Sequence, residues 1–176
     1  MSYPPIPKAR NINNPIEPTG NPLLSGLGPA EYAERQDRPD LTIGGAAKIV
    51  PMRVVTDFFI EPRDPDPRGF TVSGCDGARA GTVVDVWVDR SEPQIRYLEV
   101  AVAANGRQVL LPVACALFSP SRRDVQVKSI TAAQFADVPG TRTSDQVTLL
   151  EEDRIAAYYA GGYLYATPSR TEPALQ

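Results

Sequence analysis

Asp85, Asp89, Arg90, Glu92, Arg96 and Glu99 form the main concentration of titratable groups in this sequence, and carboxylates interleaved with arginines are suited to pairing ions. Little other chemistry is open to the chain. Its 176 residues include no histidine, which excludes Ser-His-Asp and Cys-His arrangements, imidazole proton shuttles and histidine-ligated metals. Ser25, Ser73 and Ser121 lack an imidazole base, and only Lys8, Lys48 and Lys128 remain for a serine-lysine pair. Asp64-Pro65-Asp66 has prolines where a calcium loop needs ligand-bearing residues, and reads as a surface turn. Gly26-Leu27-Gly28 lacks the third glycine and the preceding strand of a dinucleotide fingerprint. A charged hairpin end accounts for most of the six groups without function, because exposed ion pairs contribute less than about 1 kcal/mol. Glu92 stands apart. It directly precedes Pro93, so it sits on a stiffened tip carrying acid and arginine, suited to docking into a partner.

The elements that position these groups follow from periodicity. Gly81 to Asp89 alternates Val84, Val86 and Val88 onto one face of a strand, and Arg96 to Val102 sets Leu98, Val100 and Val102 on one face of its partner. Arg90 to Ile95 then closes a hairpin. Asn105-Gly106 signals a two-residue turn into Gln108 to Val113, and Asp124 to Val127 completes a meander of at least four strands. Thr131-Ala132-Ala133-Gln134 and Thr148-Leu149-Leu150-Glu151 both match the capping box and start two helices. The second is expected to end near Ala160, at Gly161-Gly162, and its first turn accounts for Glu151, Glu152 and Asp153 without chemistry. Gly28 to Arg35 reads as a short helix, and Lys48–Pro51 and Arg53–Ile60 as strand-like runs.

Composition limits the partners. A net charge of −3 provides no basic field for nucleic acid or an anionic membrane surface. The apolar runs fall far short of the roughly 20 residues that span a bilayer. Cys75 and Cys115, distant from each other in apolar surroundings, read as buried free thiols in a reducing compartment. The 18 prolines gather near both ends and in the loop around Asp64. The expected organisation is an extended proline-rich strap over 1–22, short elements contacting partners over 23–70, a mainly β core of a small barrel or curled antiparallel sheet with its carboxy-terminal helix over 71–170, and a tail over 171–176.

Gly81-Thr82-Val83-Val84-Asp85-Val86-Trp87-Val88-Asp89, followed by Arg96-Tyr97-Leu98-Glu99-Val100, resembles a PRC-barrel. Flanking segments narrow the resemblance to the cytoplasmic domain of the H subunit of purple-bacterial photosynthetic reaction centres. They are Pro18-Thr19-Gly20-Asn21-Pro22-Leu23, Gly28-Pro29-Ala30, Ala47-Lys48-Ile49-Val50-Pro51, Thr148-Leu149-Leu150-Glu151-Glu152-Asp153 and Tyr159-Ala160-Gly161-Gly162-Tyr163-Leu164-Tyr165-Ala166. The resemblance spans about residues 17 to 170. It implies a non-catalytic subunit that caps the L and M subunits at the cytoplasmic face of the photosynthetic inner membrane, shields the acceptor quinones and assists proton transfer to the secondary quinone. It implies no cofactor on this chain, with bacteriochlorophyll, bacteriopheophytin, quinones and iron in the partner subunits and a light-harvesting complex nearby. By matched position it implies proton-transfer roles for Glu92, Asp89 and Arg96, and for Asp37 and Asp40 near the proton entrance.

Two departures qualify the match. A His-x-His pair common in the family is replaced by Gly44 and Ala46, so carboxylates or water must take up protons, and metal inhibition at that place is not expected. The family's amino-terminal transmembrane helix has no counterpart in these residues, and the expectation is either a truncated or split subunit whose helix another polypeptide supplies or a domain that docks without it. The alternative is a stand-alone soluble PRC-barrel adaptor for a different protein partner. With no histidine and no cofactor motif, the purified chain is expected to carry no metal, flavin, nucleotide or pigment; a stoichiometric chromophore or transition metal retained after desalting, seen by absorption spectroscopy or metal analysis, would overturn that.

Overall fold

A valine-rich hairpin organises the fold of the computed structural model, which describes residues 6–7 and 16–171. The strands in chain order are β1 (Ile6–Pro7), β2 (Ile16–Glu17), β3 (Ile49–Pro51), β4 (Thr71–Ser73), β5 (Arg79–Asp89), β6 (Gln94–Val102), β7 (Gln108–Pro112), β8 (Ala116–Ser119) and β9 (Asp124–Val127). Among the described residues one α-helix, α1 (Leu149–Tyr165), follows them. β1 and β2 pair with each other, Ile6 opposite Glu17 and Pro7 opposite Ile16. The rest of the expected strap before Ile16, and the tail after Thr171, lie outside the described residues.

The main sheet runs β7-β6-β5-β4-β9-β8, with β3 also pairing β5, and it curls into a half-barrel. The mainly β expectation and the carboxy-terminal helix hold, but the sheet is mixed rather than antiparallel. β9 does not extend the β5-β6-β7 meander; it lies parallel to β4, where Ser73 Oγ donates to Asp124 Oδ1 at 2.8 Å and fixes the register. Between β6 and β7 the turn is longer than two residues. It spans 103–107, with Gly106 at φ +70°, a left-handed conformation that its missing Cβ permits.

Two bulges break the simple alternation expected of β5 and β6. Val83 pairs with Val100 and Asp85 with Glu99, which leaves Val84 as an extra residue and pushes it out to solvent. Trp87 pairs with Tyr97 and Val88 with Ile95, so Arg96 is the extra residue on the other strand. One face of the hairpin, with Val83, Val86, Leu98, Val100 and Val102, is apolar and buried. The other face is buried too, but carries Asp85, Trp87, Asp89, Tyr97 and Glu99.

Outside the sheet several expectations change. Residues 28–35 form only a single 3-10 turn, Gly28–Ala30, because too few apolar groups follow to extend it into a helix. Residues 53–60 make no strand; Met52–Val54 is a 3-10 turn that turns Arg53 toward β5. The capping box at Thr131 is half made: Gln134 Oε1 accepts from the Thr131 N–H at 2.9 Å, and the segment continues only as the 3-10 helix Ala133–Asp137. Both cysteines are free and half-buried. No helix among the described residues is long and apolar enough to cross a membrane.

The capping box at Thr148 is complete: Thr148 Oγ1 accepts from the Glu151 N–H, and Glu151 Oε2 accepts from the Thr148 N–H. The helix then passes straight through Gly161-Gly162, and these glycines serve close packing rather than termination. A Cβ on Gly162 would lie 2.4 Å from the Ser129 carbonyl oxygen and 2.5 Å from Ile130 Cγ2, and one on Gly161 would lie 2.8 Å from Ala30 Cβ. Arg170, which donates to the Ser129 and Gly162 carbonyls at 2.7 and 2.8 Å, satisfies the backbone there. In an unconstrained helix Gly162→Ala would add roughly 1 kcal/mol of stability; here overpacking against backbone reverses the sign, and thermal or urea denaturation should show a loss of about 1–3 kcal/mol. A stabilised variant would show that the contact relaxes freely.

Candidate functional site

The second face of the β5/β6 hairpin gathers the polar groups. Asp85, Trp87 and Asp89 project from alternate positions of β5, with Glu99 opposite Asp85 and Tyr97 opposite Trp87. All five are buried, so each polar group needs a partner within the protein. The partners come from three directions: the segment before and after β3, the hairpin's own turn, and the first turn of α1.

At one end Arg53 bridges the two carboxylates. Its Nη1 lies 3.0 Å from Asp85 Oδ2 and 2.6 Å from Glu99 Oε2, and its Nη2 donates to the Ser144 carbonyl. Trp87 Nε1 donates to the same Glu99 oxygen at 2.7 Å, and the Arg53 N–H donates to Asp85 Oδ2 at 3.3 Å. Burial works against the guanidinium's charge, but Glu99 and Asp85 outweigh it and hold the Arg53 pKa above its ordinary value. This cluster floors an open cavity of about 420 Å³ that also reaches Arg68 and Gln108.

At the other end lies the hairpin turn. Asp89 is fully buried, and its Oδ1 accepts from the Ser91 and Glu92 N–H groups at 2.8 and 3.1 Å, which fixes the turn that presents Glu92. Its Oδ2 has no hydrogen-bond partner among the described residues; Lys48 Nζ stands 3.6 Å away and Arg96 Nη1 3.9 Å away. Lys48 is also 3.7 Å from Asp40 Oδ2, and its N–H donates to the Asp40 carbonyl at 2.8 Å. Arg90 reinforces this junction by donating its guanidinium to the Ala47 carbonyl.

The structure therefore brings together Asp89, Arg96 and Asp40, with Lys48 between the two acids. Glu92 is exposed at the tip, where Gln94 Nε2 approaches its Oε2 at 3.4 Å. Asp37 goes elsewhere. It accepts from Thr148 Oγ1 at 2.9 Å and pairs with Arg142 Nη2 at 2.6 Å, so its geometry ties it to the amino end of α1 rather than to the Asp89 cluster.

Sequence reasoning missed the groups that complete the row. Arg53 fell in an expected strand. Glu152 was absorbed into a helix amino terminus, a reading that holds for its neighbour Glu151 in the capping box. Glu152 Oε2 instead accepts from the Tyr97 hydroxyl at 2.7 Å. Burial raises the Glu152 carboxyl above its ordinary value; the Tyr97 hydrogen bond, Arg96 and Arg35 act in the opposite sense, and Asp40 adds to the rise. Tyr97 is itself raised, by burial and then by the Glu152 charge. The signal available in sequence was the alternation of Asp85, Trp87 and Asp89 with valines, which marks a polar face that some other element must cover.

Beside the tip is an apolar cleft of about 220 Å³, lined by Phe58, Phe59, Ile60, Val88, Pro93 and Ile95, with Phe59 77% exposed. Among the described residues no group of three or more acids and cysteines is placed to hold a metal.

Two families match the chain. Residues 5–54 match the photosynthetic reaction centre H-chain, N-terminal region, and residues 60–134 match the PRC-barrel domain. The first match covers Asp37, Asp40, Lys48 and Arg53; the second covers the whole β5/β6 hairpin with Glu92.

The Arg53 bridge carries its own prediction. Arg53→Met removes the cation shared by two buried acids, and because that guanidinium is 39% exposed the loss is discounted from the buried-pair range to about 1–3 kcal/mol. Adding Glu99→Gln removes one stranded charge while keeping an acceptor for Trp87, so the double variant should recover part of the loss in urea denaturation. Strict additivity of the two losses would contradict the shared-cation account.

Proposed function

This chain is an H-subunit-type PRC-barrel protein, a photosynthetic reaction-centre subunit associated with the membrane, and on that premise we propose that it caps the L and M subunits at their cytoplasmic face, steadies the acceptor-quinone region and assists proton transfer to the secondary quinone. The bacteriochlorophyll, bacteriopheophytin, quinones and iron of the complex reside in its partners, and the chain's own part is structural and proton-conducting. The H-chain family is structural, which agrees with a subunit that performs no catalysis of its own.

The observation that carries this reading is the polar row around Asp89, at the foot of the turn that bears Glu92. Asp40, Lys48, Asp89 and Arg96 form a connected acid-base series, and the buried Asp89 carboxylate holds the turn that offers Glu92 to a partner. The separations of 3.6 to 3.9 Å are ion pairs rather than direct hydrogen bonds, so each carboxylate stays beside a cation without a fixed donor. Phe59 and the apolar cleft beside the tip offer the neighbouring surface for packing against the core subunits. The H-chain match over residues 5–54 favours this reading over a free-standing adaptor, for which the barrel alone would suffice.

Glu92→Gln keeps the shape of the tip and removes its titrating group. In the assembled complex the second, proton-coupled electron transfer should slow several-fold or more, while the first changes little and assembly stays near normal. Flash-induced absorbance kinetics across pH measure both; an unchanged second turnover at normal quinone occupancy would reduce Glu92 to a member of a surface turn.

A further inference from the structure

We propose that Glu152, held by the Tyr97 hydroxyl at the amino end of α1, is the group in this chain that takes up a proton from solvent and holds it for the route ending at Glu92. The inference rests on the proton-transfer reading above and deepens it by naming the storage site. A chain without histidine has no side chain that ordinarily changes charge between about pH 5 and 8, so a stored proton requires a carboxylate whose surroundings resist ionisation. Glu152 meets that need by geometry. It is only partly open to solvent where α1 meets the hairpin, and that burial opposes ionisation, while the Tyr97 hydroxyl 2.7 Å away fixes its position and favours the charged form.

The charged groups around it come from each element packed there. Tyr97 and Arg96 face it from β6, Arg35 and Asp40 from the segment before β3, and Asp153, paired with Arg35 at 3.5 Å, from its own helix. Arg96 is the bulge residue of β6, and that placement lets it stand 3.9 Å from Asp89 while acting on Glu152. Asp40 touches both neighbourhoods, since it pairs with Lys48 and acts on Glu152. Protonation of Glu152 therefore alters the charge felt by the groups on either side of Asp89. The step balances simply: the carboxylate gains a proton from water to become the neutral acid, and later returns that proton to water beside Arg96 and Asp89, whose Oδ2 is buried with no hydrogen-bond partner among the described residues.

The sign of the linkage is fixed. A carboxyl whose folded pKa lies above its unfolded one stabilises the fold below the unfolded value, and that contribution disappears as pH rises through the raised folded value.

The test uses the full chain and the assembled complex. In carboxyl-labelled protein, the Glu152 resonance, identified by its loss in Glu152→Gln, should titrate at a pH above the ordinary glutamate value of 4.5. It should move further up in Tyr97→Phe, which removes a donor to the ionised form. In the complex, Glu152→Gln should slow proton uptake on the second turnover at least twofold and change its pH profile, with the first electron transfer unaltered. A Glu152 midpoint at or below the ordinary value overturns the proposal, as does unaltered uptake in Glu152→Gln when Glu92→Gln is slowed. If neither variant affects uptake, the proton-transfer reading itself fails, and this proposal with it.

Discussion

Burying the polar face of a two-stranded hairpin is the constraint on which this molecule depends. A hairpin in an open sheet usually leaves one face to water, and polar residues there need nothing further. Here both faces of β5 and β6 are covered, so Asp85, Asp89 and Glu99 leave water together with Trp87 and Tyr97. Uncompensated burial of even one carboxylate costs several kcal/mol. Each polar group is met by a partner: Arg53 for Asp85 and Glu99, Lys48 and the turn amides for Asp89, and, for the Tyr97 hydroxyl, the accepting Glu152 carboxylate in the first turn of α1. The irregular segment through β3 is therefore held by charge as much as by packing, and its short elements make sense as brackets that deliver Lys48 and Arg53.

The same arrangement underlies the proposed function. A row of acids kept close to cations, short of direct hydrogen-bond distance and partly shielded from solvent, is structurally demanding and chemically suited to moving protons. Asp89 shows both aspects in one side chain. One oxygen builds the turn under Glu92, while the other remains buried among charges without a hydrogen bond from any described residue. A barrel that served only as an adaptor could fill this face with apolar side chains of similar volume at little or no loss of stability.

What the sequence revealed follows from which forces are local. The β5 and β6 strands, their hairpin and the Thr148 capping box depend on period-two valines and on a four-residue signature, and all were legible. Val84 was misplaced because a bulge depends on the pairing of two strands, which no single-strand pattern records. Gly161 and Gly162 resemble a stop because glycine's terminating role is local, while their contacts with Ala30, Ser129 and Ile130 are not. Family resemblance sets Asp89 and Arg96 on one motif and Asp40 beside Asp37, so the approach of Asp40 to Asp89 through Lys48 follows from the fold, and Arg53 and Glu152 require knowing what covers the second face. Asp37 shared its loop with Asp40 but was drawn to Arg142 and Thr148.

The account turns on the claim that this chain carries protons into the complex as well as capping it. The direct measurement is flash-induced proton uptake, followed with a pH-indicator dye, in core complexes stripped of this chain and then reconstituted with it. The account predicts slow uptake on the second flash without the chain and recovery when it is restored, at equal quinone occupancy. Uptake that is equally fast in both preparations would contradict it, leaving a subunit whose buried acids only hold the fold together.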